Sequence, residues 1–344
     1  MKDEGGRVEP VSVIIITRNE EGNIRGCLET LLAQDFPRDG YEVIVVDASS
    51  DATPEIAASY EGVRVVRSAE GFSAQKNAGV ARARFDILAF SDADCLFPPD
   101  WLAVIARTFR RPELAAAGGN AYPPPGTSGF GLWSACVGHP GGGAIGFDAN
   151  VTPGPEGVAF APGCNSVYRR SAIRAVGGFD PDFEAGGEDV DISRRMRARG
   201  LLIDYVPDLN VYHKPRTTLR SYFRWNVSVG VTKWNLKRPG PARILLNPFF
   251  PAWSFGLALG LLALPRFPWL TIGAGAGVWA LFVLGLALGT RPYPLLWRRR
   301  RRIGVSVAAV LAVVPALVYV RQVGISLGEW KMQRASRSAR RSRR

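Results

Sequence analysis

Histidine is almost missing from this chain, with two in 344 residues, and the four cysteines, Cys27, Cys95, Cys136 and Cys164, are scattered without a C-x-x-C spacing. Neither a zinc-finger pattern nor a disulfide framework is present, and a reducing compartment fits this usage best. Met1 to Pro10 is polar and lacks the apolar core that a signal peptide needs, so the first domain is expected to stay in the cytoplasm. Acidic residues run out near the end: residues 291–344 hold one of them against 14 basic ones, whereas residues 1–290 hold 29 of each. The net charge of +13 therefore belongs to the C-terminal part. The basic tail from Lys331 to Arg344 has no interleaved aromatics, which argues against a nucleic-acid partner and for a disordered, solvated end.

What the chain does have is alternation. Val11-Ser12-Val13-Ile14-Ile15-Ile16 is a β-branched run with little polar alternation, as a parallel strand buried on both faces requires. Ile24, Cys27, Leu28, Leu31 and Leu32 then recur at helical spacing, and Pro37 and Gly40 end that helix. Glu42 to Val46 reads as the next strand; Thr53 and Pro54 then suit the cap and first position of a helix. Val63 to Val66 gives a third strand, and Ala74 to Ala83 a helix that leads into Phe85 to Asp94. Strand, helix, strand in this order predicts an α/β fold with a doubly wound sheet.

The run from Phe85 ends in Asp92-Ala93-Asp94, where an open α/β sheet places its ligands, beyond the carboxyl ends of the strands. Paired carboxylates are hard ligands and favour Mg²⁺ or Mn²⁺ bridged to phosphate oxygens. Gly118 to Cys164 is rich in Gly and Pro and resists both helix and strand; a long irregular insert in a domain is more often functional than decorative. Glu188, Asp189 and Asp191 then cluster at the start of a helix, where the dipole favours negative charge.

Leu219 to Arg238 mixes Tyr222, Phe223, Trp225 and Trp234 with five cationic residues, the composition of a helix lying on a membrane surface. Ile244 to Leu264 and Phe267 to Thr290 carry no charge over 21 and 24 positions, each longer than the roughly 20 residues that span a bilayer. The turn between them is Pro265-Arg266, so a helical hairpin is expected, and Arg298 to Arg302 should be cytoplasmic. Ile303 to Val320 is uncharged over 18 residues and contains Pro315. Either it spans and leaves the tail outside, or it is re-entrant and the tail meets anionic lipid inside. The expected organisation is a catalytic domain over residues 1–240, with the interfacial helix near 219–238. A membrane region follows over 241–328, with helices at about 244–264, 267–290 and 303–320, and then a basic tail over 329–344.

Together these motifs resemble a membrane-bound family 2 glycosyltransferase with a GT-A nucleotide-sugar-binding fold, over roughly residues 11–235. Val11 to Glu20 is similar to the family's V-S-V-I-I-P-T-Y-N-E, with Ile16 and Arg18 replacing Pro and Tyr. Asp47 to Thr53 resembles D-D-G-S-T-D-G-T shortened by one residue, with Ala48 in place of the second Asp. Lys76-Asn77-Ala78-Gly79 matches A-R-N-x-G, Asp92-Ala93-Asp94 falls at the metal-binding D-x-D, and Glu188-Asp189 at the E-D motif. The resemblance implies that Thr17, Asn19, Glu20, Asp47, Lys76 and Asp92 contact a UDP- or GDP-sugar. It further implies that Asp94, with Asp92 and His213, serves a Mn²⁺ or Mg²⁺ ion, and that Asp189, beside Glu188, is the base. Arg224 and Trp225 are similar to the R-W of the Q-x-x-R-W in processive synthases, on the acceptor or diphosphate side, but the Gln is missing. The implied activity is an inverting sugar transfer to a lipid-linked or glycan acceptor at the cell membrane, by a multi-pass protein whose catalytic domain is cytoplasmic. A polyprenyl-phosphate sugar transferase and a non-catalytic membrane scaffold are the alternatives.

Overall fold

The computed structural model describes residues 9–138, 140–183, 186–237 and 268–341. The expected membrane helix at 244–264 and His139 of the Gly-rich insert lie outside them. The chain divides into two compact units, Met1–Thr127 with Gly138–Pro215, and Ser128–Val137 with Arg216–Arg344.

The first unit is built on eight strands: β1 (Val11–Thr17), β2 (Tyr41–Asp47), β3 (Val63–Arg67), β4 (Ile87–Asp92), β5 (Cys95–Leu96), β6 (Leu114–Tyr122), β7 (Asn165–Arg169) and β8 (Leu202–His213). They form one mixed sheet in the order β3-β2-β1-β4-β7-β6-β8-β5. β1 to β4 are mutually parallel, and β7 runs antiparallel to both β4 and β6. Successive residues serve opposite faces. Val11, Val13 and Ile15 enter one apolar cluster with Val43, Val45, Ile87 and Ala89, while Ile14, Ile16, Ile44, Val46, Leu88 and Phe90 enter another. Both faces are covered, which is why these strands read as continuous apolar runs. On the first face pack α1 (Ile24–Leu32), α2 (Thr53–Ala58) and α4 (Trp101–Thr108); on the second, α3 (Phe72–Arg82), α6 (Arg170–Ala175) and α7 (Glu188–Arg197).

Two local expectations change. Thr53 is the first residue of α2 and does not cap it: its hydroxyl accepts the Glu20 N–H at 2.9 Å and donates to Asp51 Oδ1 at 2.5 Å, tying two loops together. The Gly-rich insert is also more ordered than its composition suggests. β6 runs through Gly118 and Gly119, and α5 (Gly129–Ala135) belongs to the second unit.

In that second unit α8 (Leu219–Lys237) packs on a long C-terminal helix, α11 (Val314–Arg341). The approach is backbone to backbone. A Cβ on Gly230 would lie 2.1 Å from the Ile325 carbonyl oxygen, and one on Gly328 would lie 2.1 Å from that of Val227. Tyr222 and Asn226 are buried on the same face, so the face of α8 that carries them is packed against α11, while Arg224 is exposed. Between them come α9 (Pro268–Gly289) and α10 (Pro292–Ile303), the latter carrying Arg298 to Arg302. A π-turn at Ala309–Val313 precedes α11, where Pro315, lacking an N–H, is taken into the first turn. Helix α11 continues to Arg341, so residues 329–341 are helical where a loose tail was expected. Among the described residues, Ala309–Ala335 is long and apolar enough to cross a membrane, and Gly275–Leu288 with Pro292–Ile303, bent by 93°, makes a second such stretch if the two count together.

Candidate active site

The carboxyl ends of β1, β2 and β4 deliver Thr17, Asp47 and Asp92 to one edge of the sheet. Asp47 is wholly buried; it accepts the Thr17 hydroxyl at 2.8 Å and the Ser49 N–H at 3.1 Å, and Arg67 pairs with it. Asn19, at φ 56°, turns the chain so that its amide oxygen accepts the Ser50 N–H at 2.9 Å and its own N–H reaches Ser49 Oγ at 2.8 Å. Glu20 accepts the Asn23 amide at 2.6 Å. These four sequence-predicted residues come together, and their shared role in this structure is to lock the loops after β1 and β2 to each other.

One residue pair beyond β4, the strand β5 places Cys95 opposite His213 at the end of β8. His213 Nδ1 lies 3.0 Å from the Lys214 carbonyl, which can only accept, so Nδ1 carries a proton and Nε2 is the ring atom left to face the carboxylates. Nε2 faces Asp94 Oδ1 at 3.3 Å and Asp92 Oδ2 at 3.9 Å. Asp94 Oδ1 is buried and accepts no hydrogen bond among the described residues. Three electron-rich atoms converging in this way need a cation between them, either a proton on Nε2 or a metal ion. Burial and the neighbouring Asp94 raise the Asp92 carboxyl above its ordinary range, with His213 and Lys76 opposing. Two carboxylates and an imidazole held by a backbone carbonyl suit a divalent ion of the Mn²⁺ kind.

The second half of the site comes from α3, α7 and the segment before β7. Lys76 and Glu188, expected on the donor and catalytic sides, are buried against each other: Nζ donates to Oε1 at 2.6 Å beneath the rings of Phe90 and Phe179. Burial alone would lower the Lys76 ammonium, but Glu188 and then Asp189 outweigh it and hold it charged. Asp189 accepts the Gly163 N–H at 2.9 Å and the Val190 N–H at 2.8 Å. Burial and the adjacent Glu188 push its carboxyl up to about 6, with Lys76 and those N–H groups pulling it back. Asp191, by contrast, is buried in ion pairs with Arg194 and Arg195, and Arg195 reaches the Val176 carbonyl at 2.6 Å, so it fastens α7. Replacing Lys76 with Met leaves Glu188 buried without its counter-charge. A loss of about 3–5 kcal/mol in denaturant unfolding is expected.

Gly163 and Cys164 join the two halves, and sequence reasoning missed both. The β4–β7 register sets Ser91 against Asn165, which brings Gly163 and Cys164 beside Asp92, and Ser91 Oγ holds the Cys164 carbonyl at 2.7 Å. A Cβ on Gly163 would meet Asp189 Oδ2, Lys76 Nζ and Glu188 Oε1 at 3.3–3.4 Å. Only the antiparallel pairing reveals this; the available signal was a Gly-Cys step closing the Gly-rich insert. Arg224 and Trp225 belong to the second unit, on α8.

Residues 12–177 match the family model for glycosyl transferase family 2. Glycosyltransferase AglE of Haloferax volcanii is 30% identical over 278 residues, covering 75% of this chain and 82% of that protein. The chain belongs to glycosyl transferase family 2. A second relative within reach of this family 2 chain is an enzyme of Methanococcus voltae, 24% identical over 268 residues, 70% of this chain and 78% of the other. It is described as a dolichyl N-acetyl-alpha-D-glucosaminyl phosphate 3-beta-D-2,3-diacetamido-2,3-dideoxy-beta-D-glucuronosyltransferase. Among solved structures, the mannosyltransferase PcManGT from Pyrobaculum calidifontis, in complex with GDP-Man and Mn²⁺, superposes with a TM-score of 0.53 at 21% identity, covering 94% of this chain and 88% of that one. This family 2 glycosyltransferase therefore has the mixed α/β sheet of the GT-A fold.

Proposed function

We propose that the protein transfers a sugar from a UDP- or GDP-sugar, with inversion, to a lipid-linked glycan acceptor at the cell membrane. One observation carries this reading. The N–H of Gly163 is held by Asp189, and the thiol of the next residue, Cys164, lies among Asp92 and His213, so a proton acceptor and a cation site stand on either side of a single peptide step. A sugar diphosphate leaving on one side of the anomeric carbon and a hydroxyl attacking from the other need that division of labour. Asp92, Asp94 and His213 would hold the cation, which neutralises charge on the departing diphosphate. Asp189 takes the proton of the acceptor hydroxyl, with Lys76 holding the neighbouring Glu188 in place. The printed ligands of the Pyrobaculum neighbour, GDP-Man and Mn²⁺, and the lipid-phosphate acceptor in the name of the Methanococcus relative support this choice of donor, ion and acceptor. The imidazole favours Mn²⁺ over Mg²⁺.

Membranes carrying the chain, incubated with a panel of radiolabelled UDP- and GDP-sugars and Mn²⁺, should label a solvent-extractable lipid, and chelation should abolish the labelling. Label that stays water-soluble as free sugar alone would count against the acceptor. Label released as a simple polyprenyl-phosphate sugar would favour the alternative transferase.

The membrane arrangement is part of the same proposal: an even number of crossings returns the chain, and Arg298 to Arg302, costly to translocate, share the cytoplasmic face with the catalytic domain. In a background with the four cysteines replaced by serine, Arg300→Cys and a cysteine in the amino-terminal segment should both resist an impermeant thiol reagent in intact cells and react after lysis. Labelling of either in intact cells overturns this topology.

A further inference from the structure

The cation site has a second set of ligands that hard-ion chemistry does not use. The donor atoms of Asp94, Cys95 and His213 lie within 4.8 Å of one another, and so do those of Asp92, Cys164 and His213. Both thiols are buried, both sets share the His213 imidazole, and both include a carboxylate of Asp92-Ala93-Asp94. Cys95 pairs with His213 across β5 and β8, which sets the two side chains on one face of adjacent strands. Cys164 is held by its carbonyl to Ser91. Neither thiol is placed by chance movement of a loop, and the unpartnered Asp94 Oδ1 points into the same space.

We infer that the site also binds a thiophilic divalent cation such as Zn²⁺ or Cd²⁺, which takes His213, a carboxylate and the thiolate of Cys95 or Cys164, and thereby excludes the hard ion. Binding is balanced by proton release: the metal–sulfur bond forms as the thiol proton leaves to solvent. Carboxylate and imidazole serve both kinds of ion, while thiolate strongly prefers the soft one, so the protein becomes an enzyme that trace zinc holds inactive and that a zinc-selective chelator releases while Mn²⁺ is present. The inference rests on the reading of Asp92, Asp94 and His213 as a cation site, and goes beyond it in assigning the cysteines.

The test uses the full chain, purified in detergent, reduced and stripped of metal, with Cd²⁺ as the probe. Wild type should develop the ultraviolet thiolate-to-cadmium charge-transfer band, saturating at about one equivalent and reversed by chelator. The C95S/C164S variant, and C95A/C164A as a second pair checked for folding by circular dichroism, should lose the band. Competition against Mn²⁺, followed by the Mn²⁺ paramagnetic resonance signal, should show Cd²⁺ at least about tenfold weaker as a displacer in these variants. No band in wild type, an undiminished band in both double variants, or a band lost instead in C27S or C136S would overturn the assignment. Wild type that binds Cd²⁺ through thiolate but never takes up Mn²⁺ would keep the thiophilic site and remove the hard-cation reading of the proposed function together with the exclusion.

Discussion

Asp94→Asn should lower sugar transfer by about 10² to 10³-fold, the size seen when one group that stabilises developing charge is removed, while leaving the metal-free protein as stable as wild type or more so. The second half of that expectation separates function from folding. In the structure Asp94 Oδ1 is buried without a hydrogen-bond partner among the described residues, lies 3.3 Å from His213 Nε2 and has the Asp92 carboxylate nearby, so in the absence of a cation its charge is a cost. An amide keeps the shape, removes a negative charge, and can donate toward Nε2. Thermal unfolding with and without Mn²⁺ gives the measurement: wild type should rise with the ion, by the usual linkage to ligand binding, and the variant should not. A variant that unfolds at a much lower temperature without metal would show Asp94 to be a structural partner of His213 instead.

Asp189→Asn should leave donor binding in place and reduce turnover by about 10² or more, as expected for loss of a general base. The pH profile makes this specific. With its carboxyl raised to about 6, Asp189 is protonated over much of the acid range, so wild-type turnover should fall about tenfold per unit below that value, and the variant should lack this limb. The same shift carries a stability consequence of known sign. Between the ordinary value of 3.8 and about 6 the folded state binds more protons than the unfolded one, so this group's contribution to stability declines as pH rises through that window. The Asn variant, which carries no such charge, should show a flatter profile there. Unchanged turnover would move the base to Glu188; Asp191 is committed to Arg194 and Arg195.

The strands β1, β2 and β4 were legible because each is buried on both faces, and a chain that cannot alternate polar residues announces a central parallel strand, whereas β3, at the sheet edge with Arg64 and Arg67 exposed, was legible from its valines. Helix α1 was equally plain from its apolar stripe. β5 and β6 were not: one is two residues long, and the other runs through Gly118 and Gly119, where composition argues against a strand but neighbours on both sides supply the hydrogen bonds. The long helix α11 was read as an 18-residue apolar run with a loose basic end, because charge in its last turns says nothing about whether the backbone stays helical once its other end is packed.

For the site, the sequence by itself determined which chemical groups are present and in what order: the carboxylates of Asp92, Asp94, Glu188 and Asp189, the ammonium of Lys76 and the imidazole of His213. It did so because their local settings, a strand end or a helix start, are short-range features. What only the tertiary structure decided is who faces whom. Lys76 neutralises Glu188 across 112 positions, His213 turns its Nε2 to Asp94, and Gly163 and Cys164 enter the centre because β7 runs antiparallel beside β4. Partners so distant along the chain meet only through sheet order, and sheet order is set by the packing of the whole domain.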